Sequence, residues 1–255
     1  MAAASPTGPR AGEAARAHAF AVLRQAILGG DVAPGQRLVE EELAATLGVT
    51  RQSLRAALLD LTTEGLVERI PNRGARVRVV STEEAVAITE CRMALEALCA
   101  VKAAERVTDE EAARLRELGE HLKRAVGDRD PVKYSELNRE LHRRVGVISG
   151  QQVAVGLLDR LHAQLVRHQF QLSLRPGRPE RSLGEHLAIL DAVAGRRPGD
   201  ADRAVRAHLS SVIAALRADS PPQHGPPQHG PPTYGPPTHG APAGEPGDPN
   251  NPANE

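Results

Sequence analysis

The sequence predicts a mainly α-helical protein: a winged helix-turn-helix near the N-terminus, then an antiparallel six-helix bundle. Three observations carry that prediction. Between Gly35 and Val80, two helical apolar patterns meet at Leu47-Gly48-Val49. Two alternating runs around Pro71-Asn72-Arg73-Gly74 follow, which reads as helix, turn, helix and hairpin in order. From Ser81 to Arg217, apolar residues recur at helical spacing and are interrupted only at helix-breaking residues. Aromatic residues make up 2% of the chain and tryptophan is absent, so the core must be Leu, Ala, Val and Ile, which suits close-packed helices.

Residues 1–12 are rich in Ala, Pro and Gly and are expected to be disordered. Residues 13–80 form the first domain. Ala14–Leu28 carries Phe20, Leu23 and Ile27 at helical spacing and stops at Gly29-Gly30. Gly48 stands where a left-handed backbone is needed, and Thr50 stands in an N-cap position. Leu54, Ala57, Leu58 and Leu61 bury one face of Thr50–Glu64. The other face offers Arg51, Gln52, Ser53 and Arg55, with no acid between Thr50 and Leu59. A helix N-terminus carries partial positive charge, and two arginines there suit phosphates and guanine edges. The hairpin carries Arg76 and Arg78 on one side and Arg73 and Gly74 at its tip, where a narrow ribbon can meet phosphate or a minor groove. Thr50, Arg51, Gln52, Ser53, Arg55, Arg73, Gly74 and Arg76 are therefore the candidate contacts to double-stranded DNA. Formal net charge is zero, so affinity for DNA must come from this local patch.

Residues 81–218 form the second domain, opened by the capping signature Ser81-Thr82-Glu83-Glu84. Six helices are expected, at about 82–107, 109–126, 130–148, 151–173, 179–195 and 200–217. Cys91 and Cys99 lie eight apart on the first of them and cannot bridge within it. Both are expected as small buried core residues, compatible with a reducing compartment. MAAASPTGPR lacks a signal-peptide core, and no apolar run reaches about 18 residues, so a cytoplasmic protein with no membrane segment is expected. Residues 219–255 repeat PPQHG-like units and cannot bury enough apolar surface to fold. His224, His229 and His239 could hold metal weakly there, but a solvated tail is the plainer expectation.

Asn138 and His142 are four apart on one helix and share a face. His186 and His208 lie on the fifth and sixth helices of the domain. Three imidazoles and an amide oxygen from three helices can converge on a divalent ion, as bundle metal sites do. That donor set admits zinc, nickel, manganese or iron. Spacing alone makes this a weak signal. His18, His121, His162 and His168 are read as ordinary surface or core residues. At i+4 from Glu96, Arg92 reads by itself as a surface arginine paired with that acid.

The stretch from Ala26 to Val77, AILGGDVAPGQRLVEEELAATLGVTRQSLRAALLDLTTEGLVERIPNRGARV, resembles the DNA-binding domain of GntR-superfamily transcription regulators, with similarity over roughly residues 18–80. The family's Ser/Thr-Arg and the second Arg four residues later correspond to Thr50-Arg51 and Arg55. Some relatives place a DNA-reading arginine in the first motif helix. Glu40, Glu41 and Glu42 stand in that helix here and would repel phosphate, so base contacts are expected from the second helix and the wing. Residues 82–217 resemble the FCD effector domain of the FadR-type subfamily. The resemblance implies metal ligands at His142, His186 and His208, with Asn138 in place of the usual acid. It also implies a cavity-facing Arg92 within CRMALEALCA that pairs with a ligand carboxylate. A ligand-responsive regulator follows, usually a repressor, binding a palindromic operator as a homodimer and responding to a small organic acid. Two alternatives compete: a metal-dependent enzyme fused to a DNA-binding module, with only Glu185 near enough in sequence to act as a base, and a direct metal sensor without an organic effector.

Overall fold

The computed structural model describes residues 10–70 and 74–218. The expectations for residues 1–9, for Arg73 and for the histidine-bearing tail from residue 219 lie outside them. The elements in chain order are α1 (Glu13–Gly29), β1 (Arg37–Leu38), α2 (Glu40–Leu47), α3 (Arg51–Thr63), β2 (Val67–Ile70) and β3 (Gly74–Val77), followed by α4 (Thr82–Arg106), α5 (Asp109–Gly127), α6 (Pro131–Ser149), α7 (Gln152–Ser173), α8 (Arg178–Ala194) and α9 (Pro198–Ala218). The fold class is the expected one, a winged helical module followed by a helical bundle.

Local chemistry sets the ends of these elements. Gly48 closes α2 in the left-handed region at φ 62°, and Thr50 caps α3 by accepting from the Ser53 N–H. Ser81 caps α4 in the same way, and Thr108 with Glu111 forms a reciprocal capping box on α5. In the module, Leu54, Leu58 and Leu61 of α3 pack with Ala15, Ala19 and Leu23 of α1 and with Val67, Ala75 and Val77 of the sheet. Two ion pairs also tie α1 to α3. Arg16 holds Asp60 through hydrogen bonds of 2.7 and 2.6 Å, and Arg24 holds Glu64 at 2.8 Å.

The sheet departs from expectation in two places. Its order is β1-β3-β2, all antiparallel, with Arg37 opposite Arg76 and Glu68 also opposite Arg76. A two-residue strand has no alternation to read, so β1 exists only through its pairing with β3. The second hairpin run, expected through Val80, leaves the sheet after Val77. Arg10 departs from the expected disorder of residues 1–12. Its N–H donates to the Gly48 carbonyl at 2.8 Å, and its carbonyl accepts from the Thr50 N–H at 2.8 Å. The turn between α2 and α3 leaves backbone groups needing partners, and the preceding chain supplies them.

In the bundle, α4 packs against α6 and α9 around Leu115, Leu122, Leu141, Ile189 and Leu209. A smaller cluster of Cys99, Ala154 and Leu158, backed by Leu95, joins α4 to α7. Cys91 is a correction: it is exposed, whereas Cys99 is buried. Eight residues at 3.6 per turn leave the two side chains roughly 80° apart around the helix, enough to separate core from surface.

Helix α7 also meets the winged module. Ala163 belongs to the module's own core. Gln164 donates from Nε2 to the Glu64 carbonyl at 3.1 Å and accepts from Arg78 at 3.1 Å. His168 donates from Nε2 to the Val80 carbonyl at 3.0 Å. Gly65 sits at φ +73°, and a Cβ there would lie 2.8 Å from the Gln164 amide, so this close approach requires glycine.

Candidate nucleic-acid face and metal centre

On α3, Arg51, Gln52 and Arg55 are exposed along one side and Thr50 is half-buried in its capping role. Ser53 is a correction to the expected DNA face. It is buried, its N–H is bound to the Thr50 hydroxyl, and its own hydroxyl lies 3.0 Å from that oxygen. The third residue after an N-cap turns back toward the cap, which withdraws it from the exposed side of the helix. Arg51 pairs with Glu41, and Arg55 donates to Glu40 at 2.6 Å. The acids of α2 thus hold the two arginines side by side. Such exposed pairs are weak and exchangeable. Gly74 opens β3 opposite Ile70, and Arg76 donates to Glu68 at 2.6 Å across the hairpin.

The second constellation lies in the bundle. Helix α6 sets Tyr134, Asn138 and His142 on one face at steps of four. Helix α8 brings His186, and α9 brings His208. One nitrogen from each of His142, His186 and His208 lies within 4.8 Å of the others. The Nε2 atoms of His186 and His208 are 3.3 Å apart. Two nitrogens bound to one ion at about 2.1 Å stand roughly 3.0–3.4 Å apart, so this spacing fits shared coordination.

Each of the three rings has a polar group close to its Nδ1. His186 Nδ1 is bonded to the Tyr134 hydroxyl at 2.9 Å, and His208 Nδ1 donates to Glu185 at 2.9 Å. His142 Nδ1 lies 2.9 Å from Glu96 Oε2, within ion-pair range but not aligned as a hydrogen bond. Partners at Nδ1 orient a ring and leave Nε2 to face a cation. The buried Oδ1 of Asn138 has no hydrogen-bond partner among the described residues. An orphaned acceptor beside three imidazoles is the arrangement a cation, or water on a cation, would satisfy.

Glu96, unassigned from sequence beyond its i+4 relation to Arg92, is the charged hub of this region. Its side chain is 5% exposed, and its Oε1 accepts from Arg92 at 2.9 Å and from His162 at 3.1 Å. Burial pushes the Glu96 carboxyl up, yet the Arg92 guanidinium, with His142 and His162, holds it well below the usual carboxylate range. Burial drives the His186 imidazole well below its ordinary value, helped by neighbouring His208 and His142. Burial also lowers His208, against the pull of Glu185. These rings are neutral at neutral pH, the form that ligates metal.

Arg92 satisfies part of each sequence reading. It pairs with Glu96, and it is buried and lines a cavity of about 370 Å³. His162, read as an ordinary histidine, lines the same cavity, as do Tyr134 and Arg178. The steps of four, Arg92 to Glu96 and Tyr134 to Asn138 to His142, were available as a signal. Nothing local marked His162 or Arg178.

Residues 15–77 match the family model for bacterial regulatory proteins of the gntR family, and residues 87–211 match the FCD domain. The chain is 28% identical over 199 residues to the HTH-type transcriptional repressor RspR of Escherichia coli K12, covering 78% of this chain and 87% of that protein. It is 30% identical over 225 residues to the HTH-type transcriptional repressor NanR of Salmonella newport, covering 77% and 83%. Two solved structures share the fold at 21% identity and a TM-score of 0.67. Escherichia coli McbR/YncC covers 80% of this chain and 97% of its own, and a GntR regulator from Rhodococcus sp. RHA1 covers 82% and 100%. The enzyme alternative falls with these matches. A winged module, a helical domain behind it, both family models in that order and a 30% identical relative together place the chain in the GntR family of bacterial transcription regulators, with an FCD effector domain.

Proposed function

We propose that this regulator represses transcription as a homodimer on a palindromic operator, and that a metal-coordinated small organic acid in the bundle changes its operator affinity. The observation that carries the effector half is the convergence of three imidazoles and the orphaned Asn138 oxygen beside a buried arginine in one cavity. His142, His186, His208 and Asn138 would hold one divalent ion, of zinc, nickel, manganese or iron. When bound, the ion supplies positive charge and open coordination positions for a carboxylate, and Arg92 offers a second grip on that carboxylate. The DNA half rests on Arg51, Gln52 and Arg55 with Thr50 as cap, supported by the wing at Arg73, Gly74 and Arg76. Two such modules about a two-fold axis fit two half-sites. Exposed Leu98, Val153 and Leu157 flank the small cluster between α4 and α7 and supply an apolar face for the second subunit. No helix among the described residues is long and apolar enough to cross a membrane, and the protein would meet its DNA in the cytoplasm.

Helix α7 would carry the response. His162 bonds the Glu96 hub, while Gln164, two residues on, holds the turn after α3 and Arg78. An acid that competes for Arg92 or Glu96 favours one placement of α7 and so one placement of the module.

Replacing Arg51 or Arg55 with alanine should cost about 1–3 kcal/mol of operator binding, with relaxed base preference in gel-shift panels. Unchanged binding in both would remove them from the interface. Gln164→Ala should keep metal and acid binding but lose most of their effect on operator affinity; a full response would exclude α7 as the route. Leu157→Glu should shift the sedimenting species from dimer toward monomer, and an unaltered dimer would place the interface elsewhere.

Protein purified without chelator should hold one ion per subunit. His186→Ala should lose it, Asn138→Asp should hold it more tightly, and His121→Ala should change nothing, all read by elemental analysis. Failure of any divalent ion to load would leave these residues as pocket histidines only. In chelated protein, His186 and His208 fold with depressed pKa, so the unfolded chain binds more protons below its histidine pKa of about 6.5. The denaturation midpoint of chelated protein should therefore fall as pH drops from 7.5 to 5.5, and a flat profile would contradict the burial argument.

A further inference from the structure

We propose that the effector is a dianion, a short dicarboxylate held between Arg92 and Arg178. This rests on the metal-and-acid reading above and narrows it. Both guanidiniums line the cavity, and their side chains are 3% and 9% exposed. Each is linked through a glutamate to a different histidine of the centre. Arg92 is joined by Glu96 to His142, and Arg178 by Glu185 to His208. The two links are not equally tight. Arg92 donates to Glu96 at 2.9 Å, whereas Arg178 lies 3.5 Å from Glu185, beyond good hydrogen-bond range. Glu185 is also shared with His208 at 2.9 Å and Arg181 at 3.4 Å. The hydrogen bond recorded for Arg178 goes to the neutral hydroxyl of Ser211 at 2.7 Å. Among the described residues, its charge therefore lacks a closely bonded carboxylate.

Charge counting leads to the same ligand. The two arginines balance Glu96 and Glu185. Imidazoles that ligate a cation do so as neutral rings, and the Tyr134 hydroxyl and Asn138 contribute no charge. A divalent ion then leaves a buried charge of plus two, which is costly unless an anion matches it. An aspartate at position 138 would have reduced that charge to plus one, and a monocarboxylate would have sufficed. The other charged lining residues, Arg139, Arg143 and Asp159, are exposed and so screened by water. A cavity of about 370 Å³ lies at the small end of ligand pockets, which suits a short diacid.

The test is calorimetric titration of zinc-loaded full-length protein with malate and succinate, against their one-carboxylate counterparts 3-hydroxybutyrate and butyrate. The diacids should bind at least about tenfold tighter, the worth of one charge-assisted pair. Arg178→Gln should bring malate down to the level of 3-hydroxybutyrate and leave the latter nearly unchanged. Asn138→Asp, with its metal retained, should shrink the preference for diacids. Equal or tighter binding of the monoacids overturns the proposal and needs no variant. A preference that survives Arg178→Gln overturns it as well. If neither kind of acid binds, the acid-effector reading itself fails, and if zinc does not load, the charge count loses its ion and the proposal falls with it.

Discussion

A carboxylate buried among helices must find its counter-charges there, and Glu96 is the group on which this bundle depends. Its oxygens meet Arg92 of its own helix, His142 of α6 and His162 of α7. Desolvation alone would protonate it, and the guanidinium keeps it charged. Removing either member of such a buried pair would strand the other, so the site tolerates no casual change there. One side chain thereby links three helices and lies against one imidazole of the centre. The orphaned oxygen of Asn138 and the neutral rings of His186 and His208 have meaning only within that fixed frame.

The same network reaches the winged module by a short covalent path. His162 and Gln164 are two positions apart on α7, so their side chains leave the helix in different directions, one toward Glu96 and one toward Glu64 and Arg78. A helix transmits rotation or sliding without bending, since its own hydrogen bonds resist deformation. The contact with the module is narrow. It includes the Gln164 amide over Gly65 and beside Arg78, His168 on a carbonyl, and Ala163 in the module's core. Few groups would need to be exchanged to reposition it.

On the DNA side, the acids of α2 take on a role different from simple repulsion. Glu40 and Glu41 pair with Arg55 and Arg51, keeping both guanidiniums on one side of α3 while they remain solvated. Exposed pairs of this kind exchange partners at little cost. Non-specific attraction is weakened by their presence, which is consistent with a chain of zero net charge.

Periodicity, caps and turns are local, and the sequence by itself determined what they control. The six bundle helices, the glycine at φ 62° in the motif turn, the Thr50 and Ser81 caps and the shared face of Asn138 and His142 all follow from residues a few positions apart. Where the signal had no local period, the tertiary structure decided. A strand of two residues exists through a partner near residue 75, Arg10 is held by a turn near residue 48, and Cys91 is exposed because its neighbours on α4 turn another face inward. In the site, Asn138 and His142 were legible as a pair, whereas His162, Arg178 and the hub role of Glu96 were not. Hydrogen bonds such as Tyr134 to His186 and His162 to Glu96 span more than fifty positions. Only packing brings such groups together, and burial then decides which of them carry charge.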